Sequence, residues 1–265
     1  MLAMVPSGEA VLPPFVRLVA HAVRWRLLSE LARSDLRVRE LVALVDQPQN
    51  LVSYHLRLLR SGGLVVARRS SFDGRDSYYH LDLERCAHAL AAAGAALHPA
   101  LRLVPAQPAN AAGESAAPSV LFVCTGNSAR SPIAEALLRH RTGGRAEVTS
   151  AGSHPKPLLH PDAVRVLRQR YGIDIADRRP RQLDTMTGRR FDYVISLCDK
   201  VREVCPEFDD RPQRLHWSIP DPAATGDGTA QAGYPAFDRT AAEIDTRIRY
   251  LLPVLAQTPH REVQP

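Results

Sequence analysis

Long apolar runs are missing from this chain of 265 residues. No stretch approaches the roughly 20 apolar residues that a membrane-spanning helix needs, and the first residues lack the basic segment and apolar core of a secretory signal. The four cysteines are too few for a disulfide scaffold. These absences predict a cytoplasmic protein without a membrane partner, in which the spacing of the cysteines is more informative than their number.

Lysine is also scarce, because Lys156 and Lys200 are the only two and the other strongly basic side chains are arginines. The formal net charge of +6 is mild support for a polyanionic partner, although scattered basic residues often form only a solvated surface. A length of 265 residues favours two compact domains.

A stretch rich in alanine, proline and small polar residues divides the chain. Residues 98–118 show little periodic apolar pattern, which indicates a linker. It separates a front domain, predicted over residues 10–97, from a back domain, predicted over residues 119–258.

The front domain has the pattern of helices followed by a hairpin. Helical spacing of apolar residues predicts helices over 15–33 and 38–45, and a third that ends at Gly62-Gly63. Asp73-Gly74 between two alternating runs predicts a hairpin, and a last helix follows over 83–97. This order is that of an α+β winged helix-turn-helix domain.

The back domain alternates between strands and helices. Strands are predicted over 119–123, 146–152, 191–197 and 213–219, and helices from Ser131, over 160–172 and over 235–255. The alternation predicts a doubly wound, parallel four-stranded sheet of the α/β class. Ligands of such sheets bind at the carboxyl ends of strands, which is where Cys124 falls.

Cys124 is followed by a small polar loop, by Arg130 and by a helix. The peptide N–H groups of such a loop and the positive end of the helix attract an anion, and a guanidinium can hold two oxyanion oxygens. The same field stabilises a nucleophilic thiolate, to which Ser131 could donate a hydrogen bond. The stretch therefore predicts a cysteine poised against the central atom of a tetrahedral oxyanion.

The run from Cys124 to Ser131, Cys-Thr-Gly-Asn-Ser-Ala-Arg-Ser, resembles the C-x5-R-S signature of low-molecular-weight protein tyrosine phosphatases and the related arsenate reductases. The resemblance implies their fold. It implies an oxyanion-binding loop formed by Thr125, Gly126, Asn127, Ser128, Ala129 and Arg130. It also implies that Asp221, in an Asp-Pro pair after the last strand, is the general acid. Many reductases carry a further cysteine where this chain has Ala129.

Two more cysteines distinguish the arsenate reductases from the related phosphatases. Cys198 and Cys205 lie seven residues apart after the strand over 191–197, and hydrolysis needs neither. Resemblance to the thioredoxin-coupled arsenate reductases implies a relay. In it Cys124 attacks arsenate, Cys198 forms a disulfide with Cys124 as arsenite leaves, and Cys205 then forms a Cys198–Cys205 disulfide that thioredoxin reduces. Seven residues are too many for a bridge within one rigid helix, so we expect this segment to unwind or move.

Some members of the family bind a potassium ion near the loop, and Asn127 and Glu135 fall at the matching positions. The resemblance implies no tightly bound cofactor beyond such an ion.

Residues 43–81 resemble the ArsR family of bacterial winged-helix repressors, most clearly in Ser53-Tyr54-His55-Leu56 and Gly63-Leu64-Val65. The resemblance implies a homodimer, formed through this domain, that binds double-stranded operator DNA. The candidate base-reading residues are Gln49, Asn50, Ser53, Tyr54 and His55, and the candidate phosphate or minor-groove contacts are Arg57 and the wing residues Arg68, Arg69 and Arg75. Leu51, Leu56 and Leu59 are assigned to the core.

The sequence does not say which effector releases the DNA. Arsenic sensors of this family carry a Cys-x-Cys pair in the second helix, whereas the helix over 38–45 has no cysteine and Cys86 is the only thiol of the front domain. A buried structural role is favoured for Cys86. Three functions stay open: an arsenate reductase fused to a transcription regulator of arsenic resistance, which is favoured, a tyrosine phosphatase, and a regulator whose back domain only senses an oxyanion or the redox state.

Overall fold

The structure is a computed structural model that describes residues 12–101, 118–208, 210–224 and 230–257. The predicted domain limits at 10 and 258, and residues 102–117 of the predicted linker, lie outside these ranges. Contacts divide the chain into two units, residues 1–67 with 77–106 and residues 68–76 with 107–265. Among the helices described here, none is long and apolar enough to cross a membrane.

The first unit consists of helices and a small sheet. The helices are α1 (Pro14–Val19), α2 (Ala22–Leu31), α3 (Val38–Val45), α4 (Gln49–Ser61) and α5 (Leu83–Leu97), followed by a 3-10 turn at Pro99–Leu101. The strands are β1 (Leu36–Arg37), β2 (Val65–Arg69) and β3 (Ser77–Leu81), in the order β1-β3-β2. The last two residues of β2 fall within the segment 68–76 that is counted with the second unit. This arrangement confirms the predicted winged helix-turn-helix fold.

The single helix predicted over 15–33 is two helices in the structure. His21 lies between α1 and α2 with an extended backbone, and its ring nitrogen accepts a hydrogen bond from the Val23 N–H at 3.2 Å. This N-cap satisfies one of the open N–H groups at the start of α2. Because apolar residues continue on both sides of His21, the periodicity gave no sign of the break.

The second unit contains a parallel four-stranded sheet in the order β5-β4-β6-β7. The strands are β4 (Ser119–Cys124), β5 (Glu147–Gly152), β6 (Tyr193–Ser196) and β7 (Gln213–His216), and the helices are α6 (Arg130–Arg141), α7 (Pro161–Val166), α8 (Asp199–Val204) and α9 (Ala230–Gln257). A π-helical turn at Leu167–Tyr171 extends α7, and a 3-10 turn lies at Leu183–Met186. The predicted α/β class is confirmed, whereas α8 is an element that the sequence pattern did not indicate.

Strand β4 is where the strand order reverses. It pairs with β5 on one side and with β6 on the other, both in parallel, and Val120–Val123 are fully buried. A strand covered on both faces reads as a continuous apolar run, which is why β4 was easy to predict. The reversal opens a crevice at the carboxyl end of the strand, and Cys124 is the last residue of β4.

Candidate active site and DNA-binding surface

In the loop that begins at Cys124, most carbonyl oxygens are hydrogen-bonded to a neighbouring segment of the described chain, whereas the peptide N–H groups are not. Four of its carbonyl oxygens accept hydrogen bonds from the backbone of residues 153–160: Cys124 from Ser153 at 3.3 Å, Thr125 from His154 at 2.8 Å, Gly126 from Lys156 at 2.9 Å and Ser128 from His160 at 2.8 Å. Within the described ranges, no group accepts a hydrogen bond from the peptide N–H groups of residues 125–129. These N–H groups are therefore available to an oxyanion at the start of α6.

Arg130 joins this loop to the loop that carries Asp221. Its guanidinium donates a hydrogen bond to the Ile219 carbonyl at 3.0 Å and lies 3.1 Å from Asp221 Oδ2. The arginine is buried, whereas the aspartate side chain is 45% exposed. Asp221 Oδ1 also accepts a hydrogen bond from the Ala223 N–H at 3.1 Å, which orients the carboxyl group. The structure thus brings together the predicted oxyanion-binding arginine and the predicted general acid.

A buried hydrogen-bond network supports the nucleophile. Cys124 Sγ and Ser131 Oγ lie 3.0 Å apart, within hydrogen-bonding distance. Asn127 Nδ2 donates hydrogen bonds to Ser131 Oγ and to Ser150 Oγ, both at 2.9 Å. Asn127 has a left-handed backbone (φ 41°), a conformation that asparagine tolerates better than most residues. The network therefore fixes both the serine beside the thiol and the bend of the loop.

The second cysteine lies beside the residue that follows the nucleophile. Cys198 Sγ is 3.3 Å from Thr125 Oγ1, and Cys198 is buried. Burial raises the pKa of the Cys198 thiol and Cys124 raises it further, while Arg130 and the Thr125 hydroxyl act in the opposite direction. Cys198 is therefore protonated at neutral pH in this state.

The third cysteine lies at the far end of α8. Cys205 is half-buried, and burial raises the pKa of its thiol although Arg214 lowers it. All four cysteines of the chain lie in described segments, and none of them is in a disulfide. A helix rises ~1.5 Å per residue, so seven residues span about 10 Å. A disulfide allows a Cα separation of only about 4.4–6.8 Å, so Cys198 and Cys205 can bond only after α8 unwinds.

The two ends of α8 are held differently. Asp199, in its first turn, is buried and lies 3.1 Å from His216 Nε2, and His216 Nδ1 lies 2.8 Å from Ser196 Oγ. Burial raises the Asp199 pKa, but hydrogen bonds, first of all from His216, bring it down to about 2. The carboxylate is thus ionised at neutral pH and holds the start of α8. Val204, in the last turn, is 52% exposed.

Glu135 of α6 is surrounded by arginines. Its carboxylate is buried and accepts hydrogen bonds from Arg139 at 3.0 Å, from Arg178 at 2.9 Å and from Arg181. Ser150 Oγ donates a further hydrogen bond to it at 2.7 Å.

In the first unit, α4 presents most of the predicted base-reading residues to solvent. Gln49, Asn50 and Arg57 are exposed, Tyr54 is 51% exposed and Ser53 is half-buried. These residues lie opposite the buried stripe of Val52, Leu56 and Leu59. The exposed face suits a recognition helix.

His55 corrects the sequence interpretation. It is 3% exposed, and its ring packs on the ring of His21 with the centroids 4.4 Å apart. Burial, His21 and Arg24 all lower its pKa. Because a buried neutral ring cannot reach a base edge, His55 belongs to the core. Leu51, assigned to the core, is only half-buried.

The wing arginines differ in exposure. Arg69 and Arg75 are exposed, as a DNA contact requires. Arg68 is half-buried and belongs to the second unit, in which its guanidinium pairs with Glu243 at 2.7 Å.

Burial, and then Asp82, raise the pKa of the Cys86 thiol to about 11. Over the described ranges, no group of three or more His, Cys, Asp or Glu residues is placed to hold a metal ion.

Comparison with known proteins places both units. Residues 119–263, more than half of the chain, match the family model for low molecular weight phosphotyrosine protein phosphatase. The chain belongs to this family. Residues 22–66 match the family model for bacterial regulatory protein, arsR family, so the chain joins an ArsR-type DNA-binding domain to a phosphatase-family domain.

Curated relatives of the phosphatase-family domain carry the name arsenate reductase. The chain is 34% identical over 130 residues to that of Halalkalibacterium halodurans, a match that covers 49% of this chain and 91% of the relative. The corresponding protein of Bacillus subtilis is 33% identical with the same coverage. Among solved structures, "An arsenate reductase in the phosphate binding state" is 26% identical, covers 52% of this chain and 98% of its own, and superposes with a TM-score of 0.45.

Within this phosphatase-family domain, two supporting residues were missed by sequence reasoning. A Cβ atom on Gly152 would lie 2.6 Å from the Thr125 carbonyl oxygen and 2.8 Å from the Asn127 nitrogen, so only glycine fits between β5 and the oxyanion loop. The Arg181 N–H donates a hydrogen bond to Asn127 Oδ1 at 2.7 Å. The run Ser150-Ala151-Gly152 at the end of β5 could have indicated Gly152 from the sequence. Nothing in the sequence distinguished Arg181 from the many other arginines of the chain.

Proposed function

We propose that the phosphatase-family domain is an arsenate reductase that uses Cys124, Cys198 and Cys205 in a thiol relay. The observation that carries the proposal is the 3.3 Å contact between Thr125 Oγ1 and Cys198 Sγ, which places a second thiol beside the oxyanion loop. Hydrolysis of a phosphate ester through a covalent intermediate uses one nucleophile. Reduction of arsenate takes two electrons, which two thiols supply when they become a disulfide. The name shared by the curated relatives supports this reaction.

The relay begins at the oxyanion loop. The Cys124 thiolate attacks arsenic, a sulfur–arsenic bond forms, and one oxygen leaves as water with a proton from Asp221. The open N–H groups of the loop and the Arg130 guanidinium hold the remaining oxygens. Cys198 then attacks Cys124 Sγ, and its thiol proton passes to an oxygen of the departing arsenite. The sulfur–arsenic bond breaks, its electron pair stays on arsenic, and arsenite leaves a Cys124–Cys198 disulfide.

The next exchange moves the disulfide away from the loop. Cys205 attacks Cys198 Sγ, and Cys124 leaves as a thiolate ready for another cycle. Since α8 separates Cys198 from Cys205, it unwinds in this step. We propose that it unwinds from the exposed end at Val204, because Asp199 and His216 hold the other end.

An external dithiol then reduces the Cys198–Cys205 disulfide. We propose thioredoxin, because a disulfide carried on an unwound, exposed segment is accessible to a protein reductant. A relay that starts from reduced thiols also suits the cytoplasm, which we propose as its location.

Coupled turnover tests this proposal. We expect arsenate-dependent NADPH oxidation in the presence of thioredoxin and thioredoxin reductase, and its loss in Cys124→Ser, Cys198→Ser and Cys205→Ser. Cys86→Ser, which removes a thiol of the other unit, is the matched control and should keep full turnover. Undiminished turnover in Cys198→Ser would rule out the relay. Hydrolysis of an aryl phosphate that equals the reductase rate and persists in Cys198→Ser would favour the phosphatase alternative.

We further propose that the ArsR-type domain binds operator DNA as a homodimer through the exposed face of α4. Support comes from the exposed Gln49, Asn50, Tyr54 and Arg57. Fluorescence anisotropy with fragments of the protein's own promoter tests the proposal. Arg57→Ala should weaken binding to all fragments and reduce its salt dependence, because a phosphate contact carries no sequence information. Asn50→Ala should reduce the preference for the operator. Absence of binding at low salt would contradict the proposal.

A further inference from the structure

The surroundings of Glu135 bear on the potassium ion that the family resemblance suggested. Oε1 accepts hydrogen bonds from Arg139 and Arg178, and Oε2 accepts them from Arg181 and from Ser150 Oγ. A carboxylate has about four lone-pair sites, and the four protein donors therefore occupy all of the sites of the Glu135 carboxylate. Three guanidinium groups also surround a single negative charge, which disfavours a further cation.

The other oxygens near Glu135 are also in use. Asn127 Oδ1 accepts a hydrogen bond from the Arg181 peptide N–H at 2.7 Å, and the Ser150 carbonyl accepts one from the Arg181 side-chain Nε–H at 2.9 Å. A potassium ion is bound by oxygen atoms that replace its hydration shell. Since Asn127 Oδ1, the Glu135 carboxylate and the Ser150 carbonyl already accept hydrogen bonds from the protein, this set of oxygens does not fit a potassium ion.

We propose that the Arg181 guanidinium takes the place of this cation and that Arg181 is a positioning residue for the oxyanion loop. Arg181 connects three elements: its peptide N–H bonds to Asn127 of the loop, and its guanidinium bonds to Glu135 of α6 and to the Ser150 carbonyl of β5. The guanidinium also supports the loop through Ser150, whose hydroxyl donates to Glu135 and accepts a hydrogen bond from Asn127 Nδ2. Asn127 in turn holds Ser131, which lies 3.0 Å from the Cys124 sulfur. The arginine is covalently part of the chain, so the support of the loop does not depend on the ionic composition of the solution.

The wild-type protein provides the first test. The concentration of inorganic phosphate that halves the rate of Cys124 alkylation by iodoacetamide reports the affinity of the loop for an oxyanion. Peptide mass spectrometry separates Cys124 from the other cysteines. We expect this concentration to be the same, within twofold, in KCl and in NaCl at equal ionic strength. Phosphate affinity several-fold higher in KCl would overturn the proposal.

Arg181→Ala provides the second test, with Arg189→Ala as the control. Arg189 has a similarly exposed side chain, 42% against 40%, and pairs with the exposed Glu147. Arg181→Ala keeps the peptide N–H bond to Asn127 and removes the guanidinium contacts with Glu135 and Ser150. We expect it to weaken phosphate protection roughly tenfold, the size typical of lost outer-shell support, and Arg189→Ala to leave protection unchanged. Millimolar guanidinium chloride should restore protection in Arg181→Ala, while equal urea should not. Wild-type protection in Arg181→Ala would refute the positioning role.

The inference rests on the proposed function only for the statement that the loop binds an oxyanion during catalysis. These tests therefore distinguish a failure of the inference from a failure of the proposed function. Phosphate protection needs no turnover, so it can be measured even if the protein does not reduce arsenate. If Arg181→Ala does not fold, the comparison of KCl and NaCl in the wild type still decides the question.

Discussion

Gly152→Ala tests how closely β5 supports the oxyanion loop. The new Cβ would lie 2.6 Å from the Thr125 carbonyl oxygen, where ordinary contact begins at 3.4 Å, so the loop backbone would have to retreat by about 0.8 Å. It would also lie 2.8 Å from the Asn127 nitrogen. Because both neighbours are backbone atoms, no side-chain rotation relieves the overlap.

A displacement of about 1 Å at a reacting centre costs on the order of 100-fold in rate, and overpacking costs about 1–3 kcal/mol of stability. We therefore expect Gly152→Ala to lower kcat/KM for arsenate on the order of 100-fold, with a lower melting temperature. Gly188→Ala is the matched control, because its Cβ would meet nothing within 4 Å. Coupled turnover and thermal unfolding give the two readouts. Equal kcat/KM for both variants would refute the close support of the loop by β5.

Three further predictions follow from the ionisable groups. The Asp199 pKa is lowered to about 2 in the folded protein, so its contribution to stability is complete above the unfolded pKa near 4 and is lost as the pH falls towards 2. Urea unfolding should show Asp199→Asn about 2 kcal/mol less stable at pH 7 and little different from wild type at pH 2, and an equal loss at both pH values would contradict this. Because burial raises the pKa of Cys198 and of Cys205, iodoacetamide should label both more slowly at pH 7 in the folded than in the urea-unfolded chain, and equal rates would count against it. Since the pKa of Cys86 is about 11, we expect arsenite to change DNA affinity less than twofold in anisotropy, whereas arsenite-driven release that disappears in Cys86→Ser would show that Cys86 is the sensor.

The parts of the site that are continuous in sequence were predictable. The buried run of β4, the loop and Arg130 follow one another, so spacing alone predicted a thiol facing an oxyanion. The supporting contacts were not predictable, because Gly152 and Arg181 reach the loop only after the chain has folded. Burial decided other points, since His55 lies on the core side of α4 although its polarity favoured DNA. Helix α8 was missed because it is short and pinned by tertiary contacts of Asp199 rather than by an apolar repeat.

The relay is tested most directly by mapping disulfides after one turnover. The reduced protein would be mixed with one equivalent of arsenate without thioredoxin, blocked with iodoacetamide and digested for mass spectrometry. We expect one equivalent of arsenite and a Cys198–Cys205 disulfide, with Cys124 alkylated, and a trapped Cys124–Cys198 disulfide in Cys205→Ser. Four alkylated cysteines and no arsenite would contradict the assignment of this protein as an arsenate reductase.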